Sequence, residues 1–199
     1  RGYDQKTGSF GGTATRVRYF RETRDWFWEA WGEALSEGFR ADSGFITQVG
    51  KRSVRGGVYR AIHSDGKHKW FTQLGIGAFG DHSVATGGGR PAGGLDIPID
   101  YVGPRQLQIS YNPSPNWDYY AGKTYRNMRH HFALSMRPSG SVTLGLETSL
   151  GGTVDYANAR KADQVRVSPE LGLKLGRSLS ATIAHNYQKL TVASGRLFT

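Results

Sequence analysis

Met128-Arg-His-His-Phe-Ala-Leu-Ser-Met-Arg137, followed by Pro-Ser-Gly-Ser and then Val142-Thr-Leu-Gly-Leu-Glu-Thr-Ser-Leu150, is a pair of alternating apolar and polar runs joined by a tight turn. Side chains of a strand point to opposite faces in turn, so Met128, Phe132, Leu134, Met136, Val142, Leu144, Leu146 and Leu150 share one face. Arg129, His131, Ser135, Arg137, Thr143 and Glu147 share the other. A hairpin with one apolar and one charged face has two homes. One is a sheet laid on a soluble core; the other is a barrel with lipid outside and water inside.

The same alternation predicts ten strands, at 10–22, 26–36, 53–63, 69–80, 95–102, 106–112, 127–137, 141–150, 165–175 and 179–190. The segment 26–38 also has an amphipathic helical reading, but its Trp-Phe-Trp-Glu-Ala-Trp start is strand-like in residue type. Short turns at 23–25, 64–68, 103–105, 138–140 and 176–178 alternate with long connections at 37–52, 81–94, 113–126 and 151–164. In an up-and-down sheet that parity puts all short turns at one end, as in outer-membrane barrels; Greek-key sandwiches have no reason to keep it.

The two faces separate along the whole chain. Val17, Tyr19, Trp26, Trp28, Val54, Val58, Ile76, Ile99, Ile109, Val165, Val167, Leu171 and Ile183 fall on the apolar side. Arg16, Arg18, Glu29, Glu33, Glu170 and Lys174 join Arg129, Arg137 and Glu147 on the charged side, an array expected to line a wet interior, hold register and tune selectivity. An Arg or Lys facing mid-bilayer lipid costs roughly 2–4 kcal/mol, which accounts for their near-exclusion from one face. Arg60 and His130 are exceptions, expected near the interfaces.

Composition narrows the classes further. The formal charge is +10, yet Lys and Arg are scattered rather than clustered, which argues against a nucleic-acid partner. Cysteine is absent, so disulfides and thiolate metal sites are excluded. No eighteen-residue apolar run exists, which excludes a transmembrane helix but not a transmembrane strand. Twenty-eight glycines with only 37% hydrophobic residues suit a wide, wet-centred barrel better than a soluble core.

Chemical motifs are weak. Gly75-Ile-Gly-Ala-Phe-Gly80 spells GxGxxG but sits within an alternating strand and opens no helix, so no cofactor is expected. His130 and His131 are consecutive strand residues on opposite faces, which disfavours a shared metal. Asp96 and Asp100 show no convergent partner, and no nucleophile or acid/base set assembles from spacing. The segment Asn112-Pro-Ser-Pro-Asn-Trp-Asp-Tyr-Tyr-Ala-Gly-Lys-Thr-Tyr125 reads as a long loop in which Trp117, Tyr119, Tyr120 and Tyr125 are candidates to hold a saccharide or peptide.

Segment 37–52 carries Phe39, Arg40, Asp42, Gly44, Phe45 and Val49. It resembles the Phe-Arg-x-Asp-x-Gly-Phe-x-x-x-Val signature of a bacterial family of unknown function, whose members join an N-terminal module similar to carbohydrate-binding family 9 to an outer-membrane β-barrel. The resemblance covers about residues 10–80. It implies a sugar-binding-like module upstream and brings no catalytic residues.

The expectation is an all-β, antiparallel up-and-down transmembrane β-barrel, one domain over 1–199. It is read as a fragment of a larger barrel, with a further strand beginning near Leu197. The expected role is non-enzymatic, in the outer membrane of a Gram-negative-type bacterium: a passage, a surface-loop scaffold or an anchor for the sugar-binding-like module. The lipid bilayer is the expected partner, along with other outer-membrane or periplasmic chains or further segments of the same chain. Two alternatives stand beside it, a soluble basic β-protein binding an anionic polymer and an outer-membrane barrel enzyme.

Overall fold

A computed structural model describes residues 11–39, 49–67, 69–86 and 91–199. Thirteen strands are formed: β1 (Ala14–Glu22), β2 (Trp26–Leu35), β3 (Lys51–His63), β4 (Gln73–Ala85), β5 (Ala92–Asp96), β6 (Ile99–Val102), β7 (Gln108–Tyr120), β8 (Lys123–Ser139), β9 (Val142–Asp155), β10 (Arg160–Leu175), β11 (Leu179–Ala184), β12 (Tyr187–Val192) and β13 (Gly195–Phe198). They make one antiparallel sheet in which each strand pairs with its neighbours in sequence, β5 and β6 sharing one position and β11 and β12 another. The segment that admitted a helical reading is β2. A single 3-10 turn, Pro104–Gln106, links β6 to β7.

Cross-strand partners share a face, so the register fixes what each face carries. Trp28 pairs with Val58, and Val58 with Ala78. Ile76 pairs with Ile99, and Ile99 with Tyr111. Leu134 pairs with Leu146, and Leu171 with both Leu144 and Ile183. One face is therefore largely apolar from β1 to β11, as the alternation predicts, but on that face β10 carries Lys161 and Asp163 near its start and β12 carries Lys189, paired with Val165.

The strands reach further than the sequence suggests at one end. Residues 113–120 and 123–126 are arms of the β7–β8 hairpin, joined by Ala121-Gly122. Both turn residues have positive φ (47° and 82°), the two-residue geometry whose twist matches the flanking strands. The expected long loop at 151–164 shrinks to Tyr156–Ala159 between β9 and β10. The alternation of long and short connections therefore does not hold, although up-and-down connectivity does. Trp117, Tyr119 and Tyr120 lie on β7 and Tyr125 on β8, not in a ligand loop.

Two positions in the sheet are broken, and proline explains both. Pro113 accepts the Ile97 N–H through its carbonyl at 3.3 Å, so its own nitrogen also faces the β5–β6 seam, where it has no hydrogen to give. Pro115 shares that direction, and the ladder lapses between the Gly94–Asn116 and Ile99–Tyr111 pairs. The Asn112 side chain fills part of the gap, its Oδ1 accepting the Ile97 N–H at 2.8 Å. Pro169 accepts the His185 N–H at 3.1 Å in the same way. There β10 leaves β11 at Glu170 and takes up β12 at Val167.

Hardly any core lies inside this sheet. Among the described residues the buried hydrophobic side chains are Tyr125, Val154 and Ala162, and no large side chain is fully buried. Val17 (68% exposed), Ile183 (60%) and Val54 (57%) stand exposed on the apolar face instead.

Candidate functional site

The polar face carries a hydrogen-bonded belt running from β1 to β7. Arg16 pairs with Glu33 across β1 and β2. Arg18 Nη2 donates to Glu29 Oε2 at 3.0 Å. Glu29 Oε1 accepts from Arg55 Nε at 3.2 Å, and Arg55 Nη1 continues to Asp96 Oδ2 at 3.4 Å, with Asp81 at 3.9 Å. The Ser114 hydroxyl donates to Asp96 Oδ1, joined by Asn112 Nδ2 at 3.5 Å. Arg55 also lies over the Phe79 ring, 5.5 Å from its centroid. One guanidinium thus links β2, β4 and β5, so the belt depends more on Arg55 than on any other cation.

A second group completes the belt. Asp100 on β6 accepts Tyr59 Oη at 2.9 Å and Ser110 Oγ at 2.6 Å, one on each oxygen. Tyr59 stands on β3, so its ring must cross β4 to reach β6, and Gly75 provides the passage. A Cβ there would lie 1.7 Å from the Tyr59 hydroxyl. Gly57 likewise leaves room for the Phe79 ring. Gly75 and Gly77 of the GxGxxG lettering thus form a bed for the Tyr59 ring. Gly75→Ala is expected to expel the Tyr59 hydroxyl from Asp100 and cost about 1–3 kcal/mol of overpacking, read from the denaturant midpoint.

The β8–β12 part of the polar face is built differently. Arg129, Glu147, Glu170 and Lys174 stand on it, yet none of them, nor Arg137, makes an ion pair among the described residues. Among the described residues Glu147 pairs with none of Arg129, Arg137 and Lys174. Glu147 instead faces Ala133 and Ser168, Arg129 faces Gly151, and Lys174 faces Ser180. Arg137 falls in the register shift between Met136 and Ser139. A hollow of about 560 Å³ opens here, with Ser110, Glu147, Ser168, Glu170, His185 and Asn186 among its lining. It lies beside the strand break that Pro169 imposes.

Of the array read from sequence, then, Arg16 pairs with Glu33 and Arg18 with Glu29. Arg55, Tyr59, Asp81, Asp96, Asp100 and Ser114 complete the belt and were not in that array. Asp96 and Asp100 do have convergent partners, and these place them as hydrogen-bond acceptors. Their signal was the polar alternation itself; what joins them is register, which alternation leaves open. Phe39 and Val49 border the family-like segment, while Arg40, Asp42, Gly44 and Phe45 lie outside the described residues.

On the apolar face, aromatic rings gather toward the end that holds the 23–25 and 64–72 connections. Trp26 stacks on Trp28 at 5.5 Å, with the Arg60 guanidinium 5.0 Å from the Trp26 ring. Trp70 stacks on Tyr101 at 6.2 Å. Trp117 lies toward the opposite end, 6.4 Å from His82. His130 sits within the face rather than at its edge, and its Nδ1 is 2.8 Å from the Tyr111 hydroxyl. His63 Nε2 lies 3.0 Å from the Arg24 carbonyl.

At the tip of the β9–β10 hairpin, Asp155 Oδ2 accepts from Arg160 Nε at 2.9 Å and Asn158 Nδ2 at 2.8 Å. The Arg160 contact first and the Asn158 contact second hold its carboxyl below the usual carboxylate range. A carboxyl lowered by folding stabilises the folded tip above its unfolded pKa of about 3.9, and that contribution is lost as pH falls through the lower folded value. The protection of the tip amides, taken relative to their intrinsic exchange rate at each pH, is therefore expected to fall in acid below about pH 4, and Asp155→Asn should remove that acid dependence.

No metal-ligating cluster of three or more His, Asp or Glu occurs among the described residues, and no helix is long and apolar enough to cross a membrane. No protein-family model, no curated protein and no solved structure matches this chain.

Proposed function

We propose that this chain is the membrane-spanning part of an antiparallel β-barrel in the outer membrane of a Gram-negative-type bacterium. In this reading the apolar face meets lipid and the charged belt lines a wet interior. It acts as a passage, a scaffold for surface loops or an anchor for a sugar-binding-like module, without catalysis. The observation that carries the reading is the exposure of the apolar face: Val17, Val54, Ile76, Ile99, Leu144, Leu150 and Ile183 stand exposed on it. Among the described residues the buried hydrophobic side chains are Tyr125, Val154 and Ala162, while Phe20, Phe27, Trp31 and Phe79 share the polar face with the belt. Each such side chain left in water forgoes about 1.5–3 kcal/mol, a cost that lipid removes.

The dimensions agree with a bilayer. Ile109 pairs with Tyr101, and Trp117 stands eight residues further along β7. At about 3.4 Å per residue, and tilted by about 40°, that spacing covers roughly 21 Å along the normal, close to the apolar band between aromatic girdles. Within lipid the outer edges of β1 and β13 need partners, so barrel closure means pairing them with each other or with further strands. The resemblance of segment 37–52 supports the anchor variant of the role.

A soluble sheet binding an anionic polymer is the weaker reading, because Arg16, Arg18 and Arg55 are engaged by carboxylates on the face that would receive it. The test is gel mobility of the native protein extracted from membranes in detergent, boiled against unboiled. A compact band that shifts on boiling supports the barrel. Full recovery in the aqueous fraction with no shift overturns it.

A further inference from the structure

At the Trp117 end the apolar face carries Arg126, Arg52 and Lys161, with Asp163 one row further in beside Gly152. Arg126 on β8 pairs directly with Trp117 on β7, so both point to that face. Thr124, which pairs with Tyr119, points there too. Together with Pro91 these residues line a hollow of about 480 Å³. Arg126 makes no ion pair among the described residues. Arg52 faces the same way, paired with Ala34 and Val84, and is equally free of an acid there.

The other end of the face is arranged differently. Arg60, eight residues along β3 from Arg52, is engaged by the Trp26 ring at 5.0 Å. Eight residues span about 27 Å along a strand, so the two arginines bracket the apolar band at its opposite margins. Between them only Val54, Gly56 and Val58 point outward from β3. A guanidinium at such a margin needs either water or an anion. A fork of donors beside an indole, a hydroxyl and a ready-made hollow suits a phosphodiester, which takes two parallel hydrogen bonds from arginine while the indole lies at headgroup depth.

We infer that the Pro91, Trp117, Thr124 and Arg126 hollow is a docking site for the phosphate of an anionic lipid headgroup at one membrane interface, with Arg52 adding to the local field. This rests on the barrel reading above and deepens it. Arg126 supplies the charge, Thr124 a hydroxyl donor, and Trp117 packs against the glycerol region.

The test has two stages, both on the full chain. Insertion into phosphatidylcholine vesicles is measured first; failure to insert overturns the barrel reading and this site with it. On inserted protein taken into detergent, phosphatidylglycerol is titrated and retained lipid counted by native mass spectrometry, for the natural chain, Arg126→Gln and Arg126→Lys. Arg126→Gln is expected to weaken phosphatidylglycerol retention about five-fold, with Arg126→Lys recovering part of the loss and phosphatidylcholine retention unchanged. Equal retention by Arg126→Gln overturns the site while leaving the barrel standing. Inorganic phosphate competing as well as phosphatidylglycerol would assign the hollow to a soluble anion and overturn a lipid role.

Discussion

Leu150→Arg is expected to cost about 2–4 kcal/mol of folding free energy in a bilayer and close to nothing in water. Leu150 stands on the apolar face, 42% exposed, paired with His130 on one side and Val165 on the other. On β8 the His130 row falls midway between Leu134, level with Tyr101 through Ile109, and Arg126, level with Trp117. If lipid covers this face, a guanidinium there meets hydrocarbon at depth, in a row where Lys189 of β12 already faces Val165. If the face met water, replacing a half-exposed leucine by arginine would move stability by no more than about 0.5 kcal/mol and would improve solubility. Urea unfolding from phosphatidylcholine vesicles reads the difference, with Thr143→Arg on the polar face as the control. Similar midpoints for the two variants would remove lipid from the apolar face.

Period two was the part of this fold that could be read directly. Met128 to Leu150 separates into two faces in the structure much as its letters do, because strand geometry leaves side chains no other choice. Proline disguises a strand here. Asn112-Pro-Ser-Pro-Asn looks like loop, yet Pro113 and Pro115 stand in β7 on the same side as Ile109 and Tyr111, tolerated because the facing strand is broken. Reading those residues as loop made the connections look longer at one end and produced a length parity that the strands do not have.

The charged belt was legible only in part, for a related reason. Arg16 with Glu33 and Arg18 with Glu29 follow from one short turn at Thr23–Asp25, which sets the β1–β2 register within a few residues. The Arg55 cluster draws on β2, β3, β4 and β5, so it depends on three registers at once, and an error of one residue in any of them turns a side chain to the opposite face. The Tyr59–Asp100 contact also needs the open space above Gly75, visible only when three strands are laid side by side. On β8–β10, opposite charges share a face but stand beside serine, alanine and glycine, so a common face did not make a pair.

Arg55→Met is the second change expected to have a large effect. It keeps most of the side-chain volume, so packing against Phe79 survives while the charge that Glu29, Asp81 and Asp96 share is removed. A fully buried pair broken in this way costs about 3–5 kcal/mol and an exposed one about 0–1. With the Arg55 side chain 28% exposed and that of Glu29 13%, the expected loss is about 2–3 kcal/mol. Arg16→Met, whose side chain is 67% exposed, should stay below about 1 kcal/mol, although Arg16 donates to Glu33 twice, from Nε at 2.7 Å and from Nη2. Two further readouts separate charge from packing. Added salt should shrink the Arg55→Met penalty by screening the carboxylates left facing one another, and Asp96→Asn in that background should recover part of it, because one of the repelling charges is gone. If the belt lines a passage, single-channel recordings of Arg55→Met should shift toward cation preference, since the uncompensated groups are all acidic. A stability loss insensitive to salt, with no rescue by Asp96→Asn, would make Arg55 a packing residue and leave the belt without an electrostatic role.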